Sequence, residues 1–200
     1  MNQGASYTRD EFVKKYGSFI HKSVEGTGIL AGTLIAQAIL ESSGKDLNGD
    51  WKVGGSKLSR EALNLFGIKT SKAWKGKTYN INTGEVVKGQ KVVVNADFRA
   101  YDSYEDSIRD YIKFLKENPR YSNVFKAKTV NQQAKELKKA GYATNPDYAD
   151  TVTQVYNSVK DLVDEGYVKI EKKKKSNKVL ISLIILATLI GGFYYFKKNK

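Results

Sequence analysis

Residues 36–44, Ala36-Gln37-Ala38-Ile39-Leu40-Glu41-Ser42-Ser43-Gly44, place one carboxylate at the end of an otherwise apolar run. The spacing of Leu34, Ile35, Ala38 and Ile39 predicts a helix over roughly Leu30–Ser42, with those side chains inward and Gly44 as its stop. Glu41 then stands in the last turn. The negative end of the helix dipole and an apolar flank both disfavour its charged form and raise its pKa. A carboxylic acid that keeps its proton near neutrality is what a glycosidic leaving oxygen requires. A solvated Glu at a helix end has the same local sequence, so the neighbouring segments must decide.

Working outward, Thr8 and Glu11 form a capping-box pair ahead of Phe12, Tyr16, Phe19 and Ile20 at helical spacing. The Gly-rich stretch Gly49–Ser56 reads as a loop and Arg60–Leu65 as a short helix. The period then changes. Lys77–Ile81 and Lys91–Phe98 read as strands, with Thr83-Gly84 and Lys88-Gly89 as turn signals, which predicts a small hairpin or a three-stranded flap. Ser103 with Asp106 starts a helix carrying Ile108, Tyr111, Ile112 and Leu115 at core spacing. Thr129 and Gln132 open another, ending at Gly141, and Asn145-Pro146 introduces a last one whose core face holds Tyr148, Val152, Val155, Tyr156, Val159 and Leu162. The fold class expected is α+β, mostly helical, with one β insertion.

Composition narrows the chemistry. The 200 residues contain no Cys, which excludes a disulfide framework, a thiolate metal site and a cysteine nucleophile. One His, His21, excludes a multi-histidine zinc site, and it is expected to be a surface or packing residue. Acid–base work must therefore rest on carboxylates, Tyr or Lys, with no cofactor and no metal expected. The net charge of +13 is unevenly spread: residues 169–200 carry nine Lys and one acid, which leaves +5 on residues 1–168. A nucleic-acid partner is not expected of so mildly basic a body, whereas an anionic polymer such as a bacterial wall would suit it.

The tail has its own logic. Val179–Phe196, VLISLIILATLIGGFYYF, is uncharged and flanked by Lys172–Lys175 and Lys197–Lys198. As a helix it would span roughly 27 Å, close to a bilayer's hydrocarbon core. The expected organisation is a domain at 1–164, a basic juxtamembrane linker at 165–178, a single transmembrane helix at 179–196 and a basic tail at 197–200. The lipid bilayer is thus an expected partner, and Lys on both sides leaves the orientation open.

The ordered motifs carry a resemblance. Residues 36–42 resemble the catalytic-helix signature of the bacterial glucosaminidase family, the family 73 glycoside hydrolases that include autolysins and flagellar-type wall hydrolases. Similar blocks follow in the family's order: Ser56-Lys57-Leu58-Ser59, Asn64-Leu65-Phe66-Gly67-Ile68-Lys69, Trp74-Lys75-Gly76, Thr83-Gly84-Glu85, Phe98–Ser103 and Gly141–Tyr148. The likeness runs over about residues 8–163. It departs at Ser43-Gly44-Lys45, where the family has Gly-Trp-Gly, and in the inserted stretch Asp46–Gly55.

The resemblance implies a lysozyme-like fold with a small β-hairpin lobe, and cleavage of the β-1,4 bond after N-acetylglucosamine in peptidoglycan glycan strands. Glu41 would be the general acid. Glu85, on the hairpin lobe, would be the second carboxylate. Tyr142 matches a tyrosine near the catalytic centre, and Asn64, Phe66 and Tyr101 are candidate cleft-wall residues. Rival readings are a muramidase or lytic transglycosylase acting on the neighbouring bond, a phage or prophage lysis protein, and a non-catalytic wall-binding module.

Overall fold

The computed structural model describes residues 4–87, 90–165 and 172–176, with the side chains of 85–91 outside the description. The chain divides into two units, residues 1–163 and residues 164–200. In the second, residues 172–176 are helical. The expected transmembrane helix at 179–196 lies outside the described residues, among which no helix is long and apolar enough to cross a membrane.

Helix α1 (Arg9–Val24) starts at the predicted capping box: the Glu11 amide donates to Thr8 Oγ1 at 3.2 Å, and the Thr8 amide donates to the Glu11 carboxylate at 2.8 Å. Its buried face is Phe12, Val13, Tyr16, Ile20 and Val24, a helical stripe. Helix α2 (Ala31–Ser42) has no such stripe, because all of residues 31–39 are buried. A helix apolar on every side belongs at the centre, and α2 packs against α1, α5 (Val130–Lys139) and α6 (Tyr148–Asn157). Burying each of Leu34, Ile35 and Ile39 contributes about 1.5–3 kcal/mol. Gly32 sets the approach of α6, since a Cβ there would lie 2.5 Å from the Tyr156 ring.

Both ends of α2 are stitched. Leu30, its N-cap, has no capping side chain. Buried Gln133 of α5 accepts from the Leu30 amide at 3.0 Å and donates to the carbonyls of Gly28 and Val124. At the other end, Ser42 Oγ donates to the Ala38 carbonyl and accepts from the Gly54 amide at 3.0 Å, and the Ser56 amide donates to the Ser42 carbonyl. The stretch after α2 holds a short antiparallel pair, β1 (Gly44–Lys45) and β2 (Trp51–Lys52), the second strand falling within the Gly49–Ser56 segment expected as loop. The Asp46 carboxylate closes its turn by accepting from the amides of Asn48 and Asp50. That local bond explains how two-residue strands persist.

Helix α3 (Lys57–Ala62) begins three residues earlier than the periodicity suggests, because Ser56 caps it through the Ser59 amide. It ends at Leu63, whose φ of +55° is left-handed and costs a non-glycine residue about 1–2 kcal/mol. Of the two forms expected, the hairpin is the one present: β3 (Thr78–Val87) and β4 (Gln90–Arg99) pair continuously from Thr78↔Arg99 to Val87↔Gln90. Thr83-Gly84 is strand rather than turn. An amide ladder holds it straight, with Asn80 bonded to Asn95 and Asp97, and Asn95 bonded to Asn82. The root is fixed to the body: the Arg99 amide donates to the Ile68 carbonyl, and the Arg99 guanidinium meets the Asp110 carboxylate at 2.7 Å.

Helix α4 (Tyr104–Glu117) starts at the expected Ser103 cap and buries Ile108, Tyr111, Ile112 and Leu115 as spaced. Helix α5 uses Thr129 as its cap, and α6 begins at Tyr148. His21 Nε2 bonds to the Val163 carbonyl at 3.1 Å, which ties α1 to the end of the unit. The architecture is mostly helical α+β.

Candidate active site

Glu41 occupies the last turn of α2, and its neighbours explain its electrostatics. One side of the residue meets solvent, while protein crowds the carboxyl from the others, and this burial pushes its pKa up to about 7. A smaller effect opposes it: the Tyr148 hydroxyl beside the carboxylate favours the ionised form. The group therefore exchanges its proton near neutrality, where a general acid is most effective.

Behind Glu41 stands a bank of tyrosines. Tyr148 on α6 is buried, and its Oη accepts from Gln37 Nε2 at 2.9 Å. Gln37 is one turn before Glu41 and itself fully buried. Tyr111 of α4 stacks on Phe66 with ring centroids 4.1 Å apart, and meets Tyr142 edge-on at 5.7 Å. Tyr142 in turn lies 5.9 Å from Tyr148. Burial holds the hydroxyls of Tyr111, Tyr142 and Tyr148 well above the ordinary phenol range, so all three remain proton donors.

The other sequence candidates fall into three environments. Tyr142 is half-buried, and its hydroxyl donates to the Phe66 carbonyl at 2.9 Å. It shares the aromatic bank with Tyr148, but Tyr148 is the tyrosine whose hydroxyl lies beside Glu41 and lowers its pKa. Asn64, Phe66 and Tyr101 sit inward. Asn64 is 1% exposed; its Nδ2 donates to the carbonyls of Ile68 and Arg99, and its Oδ1 accepts from the amides of Phe66 and Ile68. Its amide is fully engaged by the loop it shapes. The Phe66 ring is covered by Tyr111, and the Tyr101 hydroxyl donates to Asp110 at 2.7 Å. Glu85 stands on β3 opposite Val92, and its side chain lies outside the described residues.

Two residues around Glu41 are absent from the sequence candidates. Tyr148 reads as core packing from its helical spacing, which is correct for its ring and silent about its hydroxyl. Gln37 carried a usable signal: it is the one amide in an apolar helix, four residues before the acid and on the same face. Among the described residues, no group of three His, Cys, Asp or Glu is placed to hold a metal ion.

Residues 17–161 match the family model Glucosaminidase, described as mannosyl-glycoprotein endo-beta-N-acetylglucosaminidase. Peptidoglycan hydrolase FlgJ of Escherichia coli strain K12 is 38% identical over 143 residues, covering 70% of this chain and 43% of the relative. Exo-glucosaminidase LytG of Bacillus subtilis strain 168 is 36% identical over 132 residues, covering 64% of this chain and 43% of the relative. The chain thus spans under half the length of these two relatives. The crystal structure of a peptidoglycan hydrolase mutant from Sphingomonas sp. A1 is similar with a TM-score of 0.63 and 31% identity, over 78% of this chain and 99% of that one.

Proposed function

This chain belongs to the glucosaminidase family, with a lysozyme-like glycoside hydrolase fold, and on that premise we propose that it is a peptidoglycan hydrolase, an endo-β-N-acetylglucosaminidase. The observation that carries the reading is Glu41: a carboxyl at the end of the central helix, open to solvent on one side and held protonated to about pH 7. Glu41 gives its proton to the bridging oxygen as the bond from that oxygen to the sugar's C1 breaks. Positive charge then develops at C1. Glu85 on β3 is the second carboxylate. It takes a proton from the water that attacks C1, which leaves a hemiacetal and restores charge balance once protons re-equilibrate with solvent.

The remaining candidates act at one remove. Tyr142 steadies the Phe66 loop through that residue's carbonyl, and Asn64, Phe66 and Tyr101 build the wall from behind. No cofactor enters this reaction. The test is product analysis after the full-length chain digests isolated sacculi. Reducing-end N-acetylglucosamine is expected. Reducing N-acetylmuramic acid would make the enzyme a muramidase, the anhydro sugar a lytic transglycosylase, and binding without release a non-catalytic wall module.

Residues 179–196 supply the second part of the proposal, a single membrane span that tethers the hydrolase beside its polymer. Eighteen uncharged residues, eight of them Leu or Ile, suffice to cross a bilayer. An inserted helix resists high-salt and alkaline washes and leaves only in detergent, whereas an electrostatic attachment is screened within a Debye length of about 8–10 Å. Release by salt alone would rule the span out.

A further inference from the structure

A tyrosine hydroxyl has one proton to give, and its direction depends on what else the oxygen bonds. Tyr148 Oη accepts from Gln37 Nε2 at 2.9 Å, so the phenolic proton must point elsewhere, and the Glu41 carboxylate is the acceptor beside it. Donation to an oxygen also polarises its own O–H and strengthens the bond that it makes. Gln37 and Glu41 are one helical turn apart on α2, which places the carboxylate on the same helix face as the amide that the hydroxyl accepts from.

A second observation shows that the amide is there for more than packing. Gln37 Oε1 and Tyr111 Oη are both fully buried, and neither has a hydrogen-bond partner of normal geometry. They are neighbours, since the Tyr111 hydroxyl interacts with the Gln37 side chain. Buried unpaired polar atoms are rare and costly, and an apolar residue at position 37 would fill the helix interior without them. We propose that Gln37 is a positioning residue: by donating to the Tyr148 hydroxyl it aims the phenolic proton at Glu41 and so fixes where the acid carboxyl points. The proposal rests on the reading of Glu41 as the acid.

The titratable groups that face Glu41 from the packed elements are Tyr111 of α4, Tyr142 in the loop before α6, and Tyr148 of α6. All three stay protonated through the working pH range, so Glu41 titrates against a fixed background. Losing the Tyr148 hydroxyl removes a group that favours the carboxylate, and the Glu41 midpoint should rise.

The experiment is an NMR titration of the Glu41 carboxyl in the full-length, glutamate-labelled chain in detergent, assigned by its loss in Glu41→Gln. Tyr148→Phe should raise the midpoint by about 1 pH. Gln37→Met, equal in length but unable to donate, should raise it by a smaller amount in the same direction, and should add nothing in the Tyr148→Phe background. The alkaline limb of the hydrolysis profile should move with it. A midpoint that stays put in Gln37→Met, or that moves additively with Tyr148→Phe, overturns the proposal. Gln37→Asn, polar but one methylene too short, provides the same comparison if Gln37→Met fails to fold. Hydrolysis absent from the unmodified chain would refute the functional reading alone, because the titration needs no substrate.

Discussion

The two carboxylates assigned to one reaction stand on elements built by opposite rules. Glu41 ends a helix whose nine preceding core residues are buried and whose two termini are stitched to other elements. Glu85 rides a ribbon whose outward positions, Asn80, Asn82, Gly84, Val93, Asn95 and Asp97, are exposed. Its described inward positions are only half-buried until Phe98 at the root. The first environment sets a pKa by removing water. The second is held by its backbone ladder, and the exposed side-chain bonds across it add little. Burial thus sets the acid strength proposed for Glu41 in the packed half of the molecule, while the ribbon leaves alternate side chains to solvent.

The sharpest way to break this contrast is Glu41→Gln, which keeps size and removes the proton source. Turnover should fall about 10²–10⁴-fold with the fold retained. The unmodified enzyme should lose activity as pH rises through about 7, where Glu41 gives up its proton. Its stability should also decline between the unfolded-state carboxyl pKa of 4.5 and about 7, because the folded form then binds more protons than the unfolded one. Glu41→Gln should flatten that decline, as read by unfolding at several pH values. A pH-independent difference between the two proteins would detach the raised pKa from burial.

Phe66→Ala probes the packed half. Removing a ring stacked on Tyr111 should cost about 3–5 kcal/mol in chemical denaturation. Retained stability would mean that the aromatic bank is loosely held. On the ribbon, Glu85→Gln should lower turnover about 10²-fold, the lower end for acid–base groups, and leave the unfolding midpoint alone. The control is Glu117→Gln, whose side chain is 63% exposed and which should behave as the unmodified enzyme. Equal kinetics for the two variants would remove Glu85 from the reaction. The smallest effect belongs to Asn95→Ala, where losing the exposed ladder should cost under about 1 kcal/mol. A larger loss would show the ribbon to be as rigid as α2.

Much of this was legible in residue order. The helix caps at Thr8, Ser103 and Thr129 are written locally, and the structure uses each of them. Apolar spacing located α2, and the end of that helix located Glu41. What could not be read was long-range. Thr83-Gly84 looks like a turn until Asn80, Asn82 and Asn95 meet across the strands. Asn64 looks like a sugar ligand until four backbone groups are seen to use its amide. Tyr148 and Gln37 are 111 residues apart, and helical periodicity reports burial without reporting which hydroxyl a buried amide meets.

The junction after α2 has a consequence for how such a chain can change. The β1–β2 hairpin is locked at its base: a Cβ on Gly55 would strike the Gly44 carbonyl, Arg60 holds the carbonyls of Lys45 and Gly55, and Ser42 holds Gly54. Leu47 in its turn and Trp51 at the start of β2 are each 71% exposed. Side-chain replacements at residues 47–50 keep the backbone amides that Asp46 accepts from, and therefore leave Glu41 where it is, whereas trimming the turn removes those bonds. The molecule has a port beside the helix that carries Glu41, at which new surface contacts can be tried, by evolution or by grafting, without rebuilding the residue proposed as the acid.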